Sequence, residues 1–148
     1  MASIFPIEAV CARMTAADWR AAVRTGGQLL VAQGAAAPEY VDGMIRTVEE
    51  FGPYVVLAPG IALPHSRPED GALKTGFSLI TLATPVAFGV PENDPVDIVI
   101  SFAALDKNAH VEALRVLAGM LSDESRLAAI RAAVTDAELF ASVAVADS

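Results

Sequence analysis

Val96-Asp97-Ile98-Val99-Ile100-Ser101-Phe102-Ala103-Ala104 (VDIVISFAA) is almost wholly apolar and follows an acidic, proline-bounded loop, Pro91-Glu92-Asn93-Asp94-Pro95. A strand that faces water on one side alternates apolar and polar residues, whereas one covered on both sides does not. This run therefore reads as a central strand under two layers. Upstream, Phe77-Ser78-Leu79-Ile80-Thr81-Leu82 does alternate, which predicts a half-buried strand. Tyr54-Val55-Val56-Leu57 and Ile61-Ala62-Leu63 are short apolar runs divided by Pro59-Gly60, as in a strand pair or a broken strand.

Helical patterns flank this middle third. Thr15 to Asp18 has the spacing of a near-capping box, after which Trp19, Val23, Leu30 and Val31 recur at helical intervals and Gly34 offers a stop. Pro38 suits the first turn of a second helix, with Val41, Met44, Ile45 and Val48 toward the core and Gly52-Pro53 as its end. After the central run, Asp106 or Asn108 caps a helix whose stripe is Val111, Leu114, Ala118 and Leu121. Ser122 or Asp123 opens another with Leu127, Ile130 and Val134, and Thr135 to Glu138 is a capping box before Leu139 and Val143. Helices, strands, then helices predict an α/β fold, one sheet between helical layers, as a single domain over 1–148.

Composition narrows the function. The chain has 148 residues, 54% hydrophobic and 19% charged, with net charge −8 and no Lys/Arg cluster, which argues against nucleic-acid binding. Cys11 is alone, so neither a disulfide framework nor a Cys-pair metal site is available. The start has no basic region of a signal peptide, and no apolar run reaches the ~18 residues of a membrane span. The expectation is a cytoplasmic protein with no direct membrane insertion.

Only two histidines occur. His65 ends the stretch Pro59-Gly60-Ile61-Ala62-Leu63-Pro64-His65, and His110 lies just inside the helix start after the central run. Each falls at a strand end, where α/β sheets gather their sites, and both face one cleft if those ends share a rim. Imidazole can accept an acyl or phosphoryl group and pass it on. A phosphoryl group brings about −1.5 to −2 charge, for which free amides near Asn108–His110, His110 itself, Arg67 and Lys74 are candidate partners.

Other readings stand beside this one. Both histidines could be satisfied structural residues. They could bind a metal with Asp94, although their separation carries no ligand spacing. No Gly-x-Ser-x-Gly elbow supports a hydrolase. Gly26-Gly27 lacks the phosphate-loop patterns and suits close packing of the first helix. Trp19 and Phe51 are expected in the core, and Glu49-Glu50 at a solvated helix end.

PGIALPHSRPED (59–70), LKTGFSLITL (73–82) and NDPVDIVISFAALDKNAHVEALRVLAGMLSDES (93–125) together resemble the mannitol/fructose-type IIA components of the bacterial sugar phosphotransferase system. The G-I-A-x-P-H box and the N-x-H-x-x-x-L helix start carry the resemblance, and FGPYVVLAPG with NDPVDI is similar to the ascorbate-specific branch. The resemblance implies a phosphocarrier with a mixed sheet flanked by helices and no metal or organic cofactor. It implies that His65 accepts a phosphoryl group from an HPr-like phosphohistidine protein and passes it to a cysteine of a IIB component. A IIC membrane permease is coupled only indirectly, and His110 assists the acceptor. Ser66, Arg67 and Asn108, beside these histidines in sequence, are the candidate phosphate-binding residues. Mannitol-type relatives carry an arginine where Glu49 stands, so Arg46 or Arg67 substitutes for it or this branch does without. The alternative within the same fold is a nitrogen-type regulatory IIA protein, which binds targets according to its phosphorylation state.

Overall fold

The computed structural model describes residues 4–144. One mixed sheet holds β1 (Val10–Met14), β2 (Val56–Ala58), β3 (Ile61–Ala62), β4 (Gly76–Val86) and β5 (Val96–Ala103), in the order β1-β4-β5-β3-β2. The apolar run is thus the middle strand. β4 pairs antiparallel to β5, while β3 runs parallel to it, in the register Ile61↔Ile98. Side-chain alternation along β5 divides the core. Val99 and Ala103 face a layer with Val23, Leu30 and Met44 from α1 (Trp19–Ala32) and α2 (Pro38–Phe51). Ile98, Ile100 and Phe102 face the opposite layer, built from α3 (Lys107–Leu121), α4 (Glu124–Ala132) and α5 (Asp136–Ala144).

β4 departs from the half-buried expectation, because both of its faces are covered from Gly76 to Leu82. Its polar positions are satisfied internally. Ser78 Oγ donates to the Gly26 carbonyl at 2.9 Å, and Thr81 Oγ1 accepts from the Arg13 amide at 2.9 Å. Burying a hydroxyl with a partner avoids the penalty of leaving it bare, so the alternation here marks hydrogen bonding rather than solvent. The glycine pair does serve close packing. A Cβ on Gly26 would sit 2.3 Å from Ser101 Oγ of β5, and one on Gly27 would sit 3.0 Å from Val41 of α2.

Several boundaries differ from expectation. Asp18, not Thr15, caps α1, accepting from the Ala21 amide at 2.9 Å. Residues 52–55 form a 3-10 turn, which shortens the expected strand to Val56–Ala58. β1 had no strand signal, and it pairs with β4 at the sheet edge. Asp106 and Asp123 are the caps of α3 and α4, and Thr135 and Glu138 exchange their expected reciprocal bonds. On α3 the buried stripe is Ala113, Leu117 and Met120, while Val111 is exposed. Of the expected stripe, Leu114 and Leu121 are partly buried against the same layer, whereas Val111 and Ala118 are exposed, and the first turn of α3 turns Lys107 and His110 to a cleft. Gly34 (φ +80) and Gly52 (φ +64) end α1 and α2 as expected, in a backbone region that glycine enters without strain. Among the described residues, no helix is long and apolar enough to cross a membrane.

Candidate functional site

Because β3 and β5 are parallel, their carboxyl ends share one rim. His65 follows β3, His110 lies in the first turn of α3 after β5, and the ring centroids are 4.9 Å apart, edge to face. Phe102, near the end of β5, forms the floor. His65 stacks on it at 4.6 Å with an interplanar angle of 22°, and His110 lies 5.4 Å from it. The strand order thus meets the condition on which a shared cleft depended.

The backbone around His65 is tightly held. The Leu63 amide donates to Val55 O at 2.7 Å, and the Phe102 amide donates to Pro64 O at 3.2 Å. The Ser66 amide donates to the Tyr40 hydroxyl at 2.9 Å. Ser66 Oγ donates to Asp70 Oδ2 at 2.5 Å, and a Cβ on Gly43 of α2 would lie 2.8 Å from Ser66 Oγ. Glycine at position 43 is what lets the histidine loop sit against α2. His65 is half-buried, since its ring lies flat on Phe102. Burial lowers its pKa below the ordinary imidazole value, the bond with Leu63 O pulls the other way, and neighbouring His110 adds to the lowering.

An open cleft of about 610 Å³ lies over the pair, within the ~300–1,000 Å³ usual for ligand sites. Arg46, Arg67 and Lys107 line it, as do Glu50, Glu69 and Asp70. Arg46 Nη2 and Arg67 Nε each stand 3.9 Å from the Asp70 carboxylate, which holds both guanidiniums nearby. That distance is beyond hydrogen-bonding range, so those donors remain able to turn to an incoming anion.

The expected phosphate partners divide. His65, His110, Ser66 and Arg67 line the cleft, whereas Asn108 and Lys74 do not. The α3 amides are less free than expected, because Ala109 N donates to the Asp106 carboxylate and His110 N to the Asp106 carbonyl. Phe51 is not core but 58% exposed on the cleft wall. Trp19 is partly buried against Phe88. Glu49 and Glu50 are exposed, and Glu49 pairs with Arg20 at 2.9 Å. Asp94 spends its carboxylate on the amides of Phe88, Gly89 and Val90 at the opposite end of β5 from His65, so the two cannot share a metal. Among the described residues, no cluster of three or more metal-ligating side chains is present.

Sequence reasoning did not single out Tyr40, Thr47, Asp70 or Lys107 for the site. Two signals were available. Asp70 lies one helical turn's spacing beyond Ser66, and Lys107 precedes His110 by three residues on one helix, which puts them on a common face.

Residues 3–144 match the family described as phosphoenolpyruvate-dependent sugar phosphotransferase system, EIIA 2. The chain is 46% identical over 125 residues to the ascorbate-specific PTS system EIIA component of Escherichia coli (strain K12), covering 84% of this chain and 81% of that one. The solution structure of the mannitol-specific cryptic phosphotransferase enzyme IIA CmtB from Escherichia coli superposes with a TM-score of 0.85 at 32% identity, covering 95% of each chain. The IIA mannitol protein in its complex with phosphorylated enzyme IIB mannitol, also from Escherichia coli, gives a TM-score of 0.81 at 30% identity, covering 94% of this chain and 96% of that one.

Proposed function

The chain belongs to the EIIA 2 family of the phosphoenolpyruvate-dependent sugar phosphotransferase system, and on that premise we propose that it is a phosphocarrier whose acceptor atom is Nε2 of His65. The observation that carries this reading is the 2.8 Å hydrogen bond between His65 Nδ1 and the Leu63 carbonyl. A carbonyl only accepts, so Nδ1 holds the proton and Nε2 keeps the lone pair. The lowered pKa keeps that lone pair available at neutral pH.

In the first transfer Nε2 forms a bond to phosphorus while the N–P bond of an HPr-like phosphohistidine donor breaks, its electron pair returning to the donor ring. The positive charge left on the His65 ring is shared at Nδ1–H with the Leu63 carbonyl. In the second, the thiolate of a IIB cysteine forms an S–P bond, the Nε2–P pair returns to His65, and the neutral ring is regenerated. Such a transition state needs positioning and charge compensation more than covalent machinery. Arg46, Arg67 and Lys107 supply the compensation, since a hydrogen bond to a charged oxygen contributes about 1.5–3 kcal/mol. Arg46 takes the part of the arginine that Glu49 displaces. Ser66, whose hydroxyl is committed to Asp70, holds the loop instead of the phosphate.

His110 assists from beside the acceptor. Phe51 on the cleft wall, with Leu105 (54% exposed) and Val111 (59%) flanking the start of α3, forms an apolar rim on which donor and IIB partners can dock in turn. The relative named for ascorbate supports ascorbate or a related acidic sugar as the transported substrate, with a IIC permease reached only through IIB. Incubation with a phosphorylated HPr-like donor tests the reading. One acid-labile phosphate should map to His65, His65→Ala should abolish it, and His110→Ala should retain labelling while passing the group to IIB at least several-fold more slowly. Labelling that survives His65→Ala would contradict it.

A further inference from the structure

One side chain bonded to the His65 loop does not line the cleft. Tyr40, near the start of α2, is fully buried (0% exposed), and its ring packs in the layer between α2 and the sheet. Its hydroxyl accepts the Ser66 amide at 2.9 Å and lies 3.0 Å from Phe102 O and 3.1 Å from Ser66 O, donating its one proton to these carbonyls. The residue after the acceptor histidine is thereby joined to the residue whose ring supports that histidine. Burial pushes the phenol up to about 12, with the Ser66 bond lowering it and the nearby Asp70 raising it. It therefore stays protonated, able to donate and accept together, across the working pH range.

We propose that Tyr40 is a positioning residue for phosphoryl transfer: its hydroxyl clamps the backbone beside His65 to the end of β5, and so sets the imidazole over Phe102 and beside His110. The inference rests on the phosphocarrier reading for its kinetic consequence, but its geometric consequence is independent of it. In-line transfer requires Nε2 at a fixed angle to phosphorus, and a small loss of placement costs rate without altering the surface that partners touch. The neighbouring bonds cannot substitute. Pro64 O reaches β5 on the other side of His65, and Ser66 Oγ reaches Asp70 in the same loop and, at a long 3.4 Å, Thr47 Oγ1 of α2, so neither ties the Ser66 backbone to the end of β5.

Tyr40→Phe removes the hydroxyl and keeps the ring. With a phosphorylated HPr-like donor, the saturated rate of His65 labelling should fall about tenfold, while the half-saturating donor concentration stays within twofold of wild type. Ile130→Val, which perturbs the opposite core layer, should change neither, separating positioning from general destabilisation. Proton NMR contacts between the His65 and Phe102 rings should weaken in Tyr40→Phe, a readout that requires no donor. A wild-type saturated rate with unchanged ring contacts would overturn the proposal. So would a slowdown caused wholly by a higher half-saturating concentration, which would place Tyr40 in docking. Wild-type protein that takes no label would instead defeat the phosphocarrier reading, leaving the ring contacts to decide this one. Should Tyr40→Phe be too unstable at the working temperature, the same rate and ring-contact comparison with wild type is made at lower temperature, where the folded form is populated.

Discussion

At the scale of the residue, His65 combines features that a surface histidine does not. It lies flat on Phe102, gives its Nδ1 proton to Leu63 O, and titrates below the ordinary imidazole value through burial. The ring thus stays neutral to lower pH in the folded protein than in the unfolded chain. Below the ordinary value of about 6.5 the unfolded state binds more protons, so folding stability rises with pH there. This contribution is complete above pH ~6.5 and is lost as pH falls toward the folded pKa. The part of the acid destabilisation that begins below that point should be absent in His65→Gln, as urea melts at pH 5 and pH 7 would reveal. A slope unchanged by the substitution would contradict a lowered pKa. The same sign governs chemistry: labelling by donor should hold steady as pH drops through 6.5 and decline only below it. Both histidines were legible in the sequence because each follows an apolar run. Tyr40 and Asp70 were not, since their importance comes from which backbone atoms they meet, although Tyr40 shares the spacing of Met44 and Val48 on the buried face of α2.

At the scale of the element, the site is an agreement between a loop and two helices. α2 approaches the loop closely at Gly43, and α3 presents Lys107 and His110 from its first turn. Gly43→Ala adds a Cβ against Ser66 Oγ and the Asp70 side chain. Alanine favours a helix over glycine by ~0.5–1 kcal/mol and overpacking costs ~1–3 kcal/mol, so the net loss spans about 0–2.5 kcal/mol and sits at its low end where the neighbouring loop yields. The histidine loop absorbs the displacement, and labelling should slow several-fold while thermal unfolding shifts little. An unchanged rate would show that the loop tolerates the shift. Helices legible from caps and periodicity appear at nearly their expected places, as α2 and the Thr135–Glu138 start illustrate. Failures came where tertiary context outweighs pattern. Val10–Met14 has little β-branched character, and it becomes a strand because β4 offers an edge and α5 covers it. Val111 fits a helical stripe but lies beside the cleft, with its exposed side toward solvent.

At the scale of the molecule, one sheet separates two apolar layers and delivers two strand ends to one rim. The layers are what hold the rim in place. Leu117, fully buried beneath α3, should cost ~2–5 kcal/mol when replaced by alanine. That is a large share of the ~5–15 kcal/mol typical of a whole domain, and urea unfolding would measure it. A loss below about 1 kcal/mol would mean that α3 is not anchored by this layer. One sheet between helical layers was legible from the order of apolar runs, and its mixed character only through the family resemblance; which strands run parallel was not legible, and that fact decides whether the histidines meet. The net charge of −8 gave no hint of the local basic trio Arg46, Arg67 and Lys107, which only folding assembles. The most direct test of the central claim is nitrogen–phosphorus coupling by NMR in the ¹⁵N-histidine-labelled phosphoprotein. The account predicts coupling to Nε2 of His65, with the Nδ1 proton still bonded to Leu63 O; coupling to Nδ1, or to either nitrogen of His110, would contradict it.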